Sequence, residues 1–92
     1  MTERSSEGLD ARRRRLLFQS WHRGMRETDL IMGRFADSAL TELSDTELSE
    51  FERLINVPDP DLLAWVIGEV RVPKDYDTEL FRRLRDFHHN KS

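Results

Sequence analysis

The sequence predicts an all-α fold, a compact bundle of five short helices, and three observations carry that expectation. Apolar residues recur at the three-to-four spacing of a helix face rather than in strand-like alternation. Capping residues, prolines and glycines divide the chain into short segments. The one strand-like run, "VIGEVRV", is interrupted by Gly68.

The elements follow in order. Residues 1–9 read as a disordered lead, 10–89 as the single five-helix domain and 90–92 as a tail. Asp10 is placed to cap a first helix whose apolar face is Leu16, Leu17, Phe18 and Trp21. Gly24 ends it, because glycine enters the left-handed region without a Cβ clash. A second helix begins around Glu27 to Asp29, where acids suit the positive end of the helix dipole, and continues through Leu30, Ile31, Phe35 and Ala39.

The third helix has the clearest local start. In "LSDTEL", Ser44 and Glu47 have the spacing of a reciprocal capping box, and Leu43 and Leu48 that of its hydrophobic staple. Phe51, Leu54 and Ile55 then carry the buried stripe. In "VPDPDLLAWVIG", Asp59 is expected as cap and Pro60 as first residue of a fourth helix, which Gly68 closes. After Pro73, "DYDTELFRRLRDFHH" reads as a fifth helix with Tyr76, Leu80, Phe81, Leu84 and Phe87 on one side.

Composition narrows the function. A chain of 92 residues buries about 60–65% of its unfolded surface, leaving little room for a deep cofactor cavity beside a stable core. With no cysteine, thiolate metal sites and disulfides are excluded. No apolar run reaches the roughly 20 residues of a membrane span, and "MTERSSEGLD" has neither signal-peptide nor transit character. The expected compartment is a bacterial cytoplasm, or a mitochondrial matrix for a mature eukaryotic fragment. The net charge of −3 divides into +3 over residues 1–34, −8 over 35–70 and +2 over 71–92. An acidic middle between basic ends argues against wrapping nucleic acid and suits a protein partner with a complementary patch.

Most of the visible motifs have plain readings. "RRRR", Arg12 to Arg15, spreads around a helix at about 100° per residue and cannot grip one phosphate groove. It reads as a solvated face, or as a patch that steers an acidic partner. His22, His88 and His89 do not converge as zinc requires, so no metal is expected. Glu27 and Asp29 stand two apart and do not face each other as an acid/base pair would. Trp65 rides the edge of its apolar face and suits an interface anchor.

The remaining stretch, Arg23-Gly24-Met25-Arg26-Glu27, leaves two readings open. It is a helix–helix corner, with a local Arg23–Glu27 ion pair across Gly24. Alternatively it is a recognition knob, in which Gly24 admits a partner's backbone, Arg23 offers its planar fork and Glu27 an acceptor.

"RGMRETDLIMGRFAD" with the following "LSDTELSEFERLINVPDPDLLAWV" resembles the succinate dehydrogenase assembly factor family, the SdhE flavinylation factors of bacteria and their mitochondrial counterparts. The likeness covers roughly Arg13 to Phe87. The hallmark Arg-Gly-x-x-Glu is met by Arg23, Gly24 and Glu27. The family often continues Leu-Asp, and here Thr28 replaces the leucine while Asp29 is kept. "DPDLLAW" is similar to the family's Asp-Pro-Asp-Leu-Phe-x-Trp, with Leu63 in place of phenylalanine.

The resemblance implies a non-catalytic five-helix factor, monomeric when alone, that engages neither nucleic acid nor membrane. It would bind the flavoprotein subunit of succinate dehydrogenase, and of fumarate reductase in some bacteria, and promote covalent attachment of FAD to a histidine there. FAD would belong to that client and not be held stably by the factor. The partner-binding residues it implies are Arg23, Gly24, Met25, Arg26 and Glu27, joined by Asp29 and Trp65. An antitoxin or regulatory module of a toxin–antitoxin pair is the alternative.

Overall fold

The Asp10 carboxylate accepts the backbone N–H of Arg13 at 2.8 Å, and the chain enters helix α1, Ala11–Trp21, at that cap. The structure is a computed structural model that describes residues 9–91, with side chains through Asn90. Helix α2 is Arg26–Ala39, running on into a 3-10 turn at Leu40–Glu42. Helices α3 (Asp45–Ile55) and α4 (Asp59–Ile67) follow, then a second 3-10 turn at Lys74–Tyr76 and helix α5, Glu79–Lys91. Among the described residues there are five α-helices and no strand, as the sequence predicts.

One core joins all five. Leu16 and Leu17 of α1, Met32 and Phe35 of α2, Phe51 and Leu54 of α3, Leu62 and Val66 of α4, and Phe81 and Leu84 of α5 are buried together. Phe35 sits near its centre, 6.1 Å from the Phe51 ring and edge-on to Phe87 at 5.7 Å. The expected lead lies outside the described residues except for Leu9. That residue is 5% exposed, so the core begins one position before the expected domain start.

Helix α2 buries Thr28, Ile31, Met32, Phe35, Ala36 and Ala39, the stripe that a three-to-four period dictates. Gly33 lies on the same helix because a Cβ there would fall 2.3–2.7 Å from the Trp21 ring. The indole of α1 therefore lies flat on α2 backbone, and its N–H reaches Asp37 Oδ1 at 3.4 Å.

Both halves of the capping box of α3 are made. Glu47 N–H donates to Ser44 Oγ at 3.2 Å, and Ser44 N–H to Glu47 Oε1 at 2.9 Å, while Leu43 and Leu48 are buried on either side. Gly68, at φ +86°, closes α4 as expected, with the Glu69 N–H returned to Ala64 O at 2.9 Å.

Four expectations change. Asp59 does not cap α4: Pro58 holds that position, Asp59 is the first helical residue and Pro60 the second. The fifth helix does not include Tyr76, because Thr78 Oγ1 accepts the Phe81 N–H at 3.1 Å and starts α5 at Glu79. Phe18 is 63% exposed instead of lying on the buried face of α1. The arginine run is more than a solvated face. Arg13 reaches Leu40 O at 2.9 Å and Leu43 O at 2.6 Å, satisfying carbonyls where α2 ends, and Arg14 donates to Leu9 O. Arg12 grips the Glu52 carboxylate with two bonds of 2.9 Å.

Candidate functional site

The corner between α1 and α2 is organised by Arg23. Its side chain is only 5% exposed and turned into the fold. Nε donates to Asp59 Oδ1 at 2.7 Å, Nη1 to Ile55 O and Nη2 to Val57 O, both at 2.6 Å. Those carbonyls lie at and just beyond the end of α3, where helix geometry leaves them without intrahelical partners. One planar guanidinium thus closes α3 and engages the first residue of α4, a task for which the compact ammonium of lysine has the wrong shape.

The backbone of the corner is held separately. Asp29 Oδ1, one turn into α2, accepts the Arg23 N–H at 2.6 Å. Gly24 has φ +118°, a region L side chains rarely adopt. A Cβ there would meet Asp59 Oδ2 at 3.6 Å, an ordinary contact, so the backbone angle and not lack of space demands glycine. Gly24 also does not end α1, which stops at Trp21 with His22 as its cap.

Past Gly24 the chain turns outward. Met25 is half-buried and precedes α2 with no side-chain cap, while Arg26 and Glu27 are exposed in the first turn. Among the described residues the Glu27 carboxylate makes no hydrogen bond or ion pair, and the local Arg23–Glu27 pair is absent because Arg23 is engaged by Asp59. Asp29 points back to the corner and Glu27 away from it, so the two acids are divided between structure and surface. Thr28 is fully buried, its hydroxyl donating to Met25 O at 3.1 Å.

Trp65 is not brought to this corner. It is half-buried on α4, its ring 5.2 Å from Tyr76, which in turn lies under the Arg53 guanidinium at 4.7 Å. It lines a separate groove with Gly68, Val70, Arg71 and Val72. Among the described residues no group of three or more His, Cys, Asp or Glu could hold a metal ion. No helix there is long and apolar enough to cross a membrane.

Sequence reasoning missed Asp59 as the partner of Arg23. The "DPD" acid had a complete local explanation as a cap, and nothing local points across 36 positions. It also missed the exposure of Phe18. The signal was present, since Phe18 lies one step off the stripe that Leu17 and Ser20 continue into the core.

A family model described as Flavinator of succinate dehydrogenase matches residues 14–88, a span that holds the whole corner and its Asp59 brace. The chain is 36% identical over 80 residues to the FAD assembly factor SdhE of Acetobacter pasteurianus, covering 87% of this chain and 73% of that protein. It is 34% identical over 84 residues to succinate dehydrogenase assembly factor 2, mitochondrial, of Dictyostelium discoideum, covering 91% of this chain and 58% of that one. Against assembly factor 2-B of Drosophila ananassae it is 40% identical over 85 residues, with 90% and 52% covered. The chain thus spans little more than half the length of the mitochondrial relatives it matches. A match of this extent, reaching into every helix, means that the chain belongs to the succinate dehydrogenase flavinator family.

Proposed function

We propose that this protein is an assembly factor that binds the flavoprotein subunit of succinate dehydrogenase and promotes covalent attachment of FAD to a histidine of that subunit. The observation that carries the reading is Glu27, an exposed carboxylate unpaired among the described residues, presented by a corner that Arg23, Asp59 and Asp29 brace from within. Family membership supports the client, and the relatives' names speak for succinate dehydrogenase assembly rather than a toxin–antitoxin pair.

The protein acts by binding and not by catalysis. The bond to FAD is made within the flavoprotein, and FAD is not held stably by the factor. A factor that prefers the attachment-competent arrangement of its client shifts that equilibrium by the difference in affinity alone. A tenfold preference needs only about 1.4 kcal/mol, within reach of one desolvated, charge-assisted contact from Glu27. Met25 and Arg26 complete the contact surface. Arg23, Gly24 and Asp29 serve it from beneath, and Trp65 supplies a second anchor on α4.

The test is covalent flavin incorporation into the apo flavoprotein subunit, read as in-gel fluorescence after denaturation. Wild type should accelerate it. Glu27→Ala should lose the acceleration while keeping its helical circular dichroism, since among the described residues Glu27 has no hydrogen-bonded partner to lose. A flavoprotein indifferent to the wild-type protein, or a fully active Glu27→Ala, would remove this reading. Isothermal titration of the isolated factor with FAD should show no stoichiometric binding.

A further inference from the structure

Phe18 stands apart from the other large apolar side chains. Nineteen hydrophobic residues form the core, whereas the Phe18 ring is 63% exposed, more than Val70 at 52% or Ile67 at 43%. It is also held in place. His22, one turn later on α1, stacks on it at 4.0 Å between ring centroids and 17° between planes. The His22 ring is itself tethered, its Nδ1 lying 2.7 Å from Phe18 O. The result is a fixed aromatic plate facing solvent. Nothing within the described fold covers it.

The plate is continuous with the corner. Phe18, His22 and Arg23 line one groove with Ile55, Val57 and Asp59, an open hollow of about 370 Å³. Arg23 and Asp59 neutralise each other there, and Arg23 occupies the Ile55 and Val57 carbonyls. The groove is therefore mixed: Phe18, Ile55 and Val57 offer apolar surface, its ion pair is already satisfied, and Gln19 and Asn56 add polar groups to the wall. The exposed Phe18 ring gains by desolvation, as apolar side chains at interface centres do, whereas Glu27 offers a charged contact.

We infer that the Phe18–His22 plate, at the edge of this mixed groove, forms the apolar part of the client interface, taking an aliphatic or aromatic side chain of the same flavoprotein that Glu27 engages. This inference rests on the reading of the protein as a flavoprotein-binding factor. One partner is assigned to both because the groove shares Arg23 with the corner that presents Glu27. Helix α1 leads from the plate directly into that corner. The division of labour is then apolar burial at the plate and charge recognition at Glu27.

The experiment compares wild type with Phe18→Ser, Phe18→Tyr, His22→Ala and Glu27→Ala for affinity to the apo flavoprotein subunit, by biolayer interferometry. Phe18→Ser should weaken binding by about tenfold or more, the size of a central anchor. His22→Ala should weaken it less, and Phe18→Tyr should bind like wild type. Unchanged circular dichroism is expected throughout, since Phe18, His22 and Glu27 are all exposed. If Phe18→Ser binds as wild type does while Glu27→Ala fails, the plate is not in the interface and the functional reading stands. If wild type forms no complex, both fall. Should Phe18→Ser alter the circular dichroism, His22→Ala decides: binding equal to wild type overturns the inference.

Discussion

Helices α3 and α4 both begin with an acidic, hydroxyl- or proline-bearing segment, and they are built by different physics. At α3 the Ser44 hydroxyl and Glu47 carboxylate satisfy each other's backbone N–H within one turn. At α4 Asp59 has the residue type of a cap but stands at the first helical position, and its carboxylate faces the buried guanidinium of Arg23, 36 positions earlier. A capping bond to a neutral N–H competes poorly with a charge-assisted bond out of water, where the dielectric is low and both charges need a partner. Local signals predict a helix start well. They predict the use of its polar side chain only when no distant charge competes for it.

The largest expected effect breaks the long-range start. Arg23→Met removes one partner of a buried pair and leaves Asp59 and the Ile55 and Val57 carbonyls unsatisfied, which costs about 3–5 kcal/mol. At about 4–8 °C per kcal/mol in a domain of this size, thermal melting should fall by well over ten degrees. Asp59→Ala should destabilise comparably, and the double variant should cost less than the two single losses added. Additive losses in that cycle would mean that Asp59 matters through α4 alone.

A smaller effect breaks the local start. Ser44→Ala deletes one half of the capping box and should cost about 1 kcal/mol. Urea unfolding would measure it, with the midpoint shifted and the slope unchanged. Because the box is closed within one turn, coupling between Ser44→Ala and Arg23→Met should be near zero, whereas Arg23 and Asp59 are strongly coupled. A loss at Ser44 as large as that at Arg23 would erase the distinction between the two starts.

The smallest effect appears on the exposed side of α1, where the same contrast recurs as a pH dependence. The Arg13 backbone N–H holds the Asp10 carboxyl below its usual range, a local cap. The Arg12 side chain does the same for Glu52 across 40 positions. Both folded-state values are depressed, so each contribution is fully present above about pH 5 and is lost as the pH falls through the carboxylate range. The urea midpoint should drop between pH 7 and pH 3, and Glu52→Gln should shrink that drop. An unchanged drop in Glu52→Gln would leave Glu52 without a share in it.

The candidate site shows the same split between what is near and what is far along the chain. The Arg-Gly-x-x-Glu hallmark was legible, but the outward Glu27 was one of two readings left open, because a local pair with Arg23 was available to it in the sequence. The inward half was not legible. Arg23 reads from sequence as a fork offered to a partner, and its burial follows only once α3 ends and α4 begins beneath it. Likewise Gly33 looks like an ordinary helix-interior glycine until the Trp21 ring is laid against it.

The sequence by itself determined the five helices, the capping box at Ser44, the left-handed stop at Gly68 and the family to which the chain belongs. Periodicity, capping and turn chemistry act over a few residues and are written in them. Only the tertiary structure decided that Arg23 faces Asp59, that Trp21 needs Gly33, that Arg13 closes the end of α2 and that Phe18 faces water. Each of these is a competition between partners far apart in the chain. Its outcome depends on which charge is desolvated and which helix face is already occupied, and neither exists until the helices have packed.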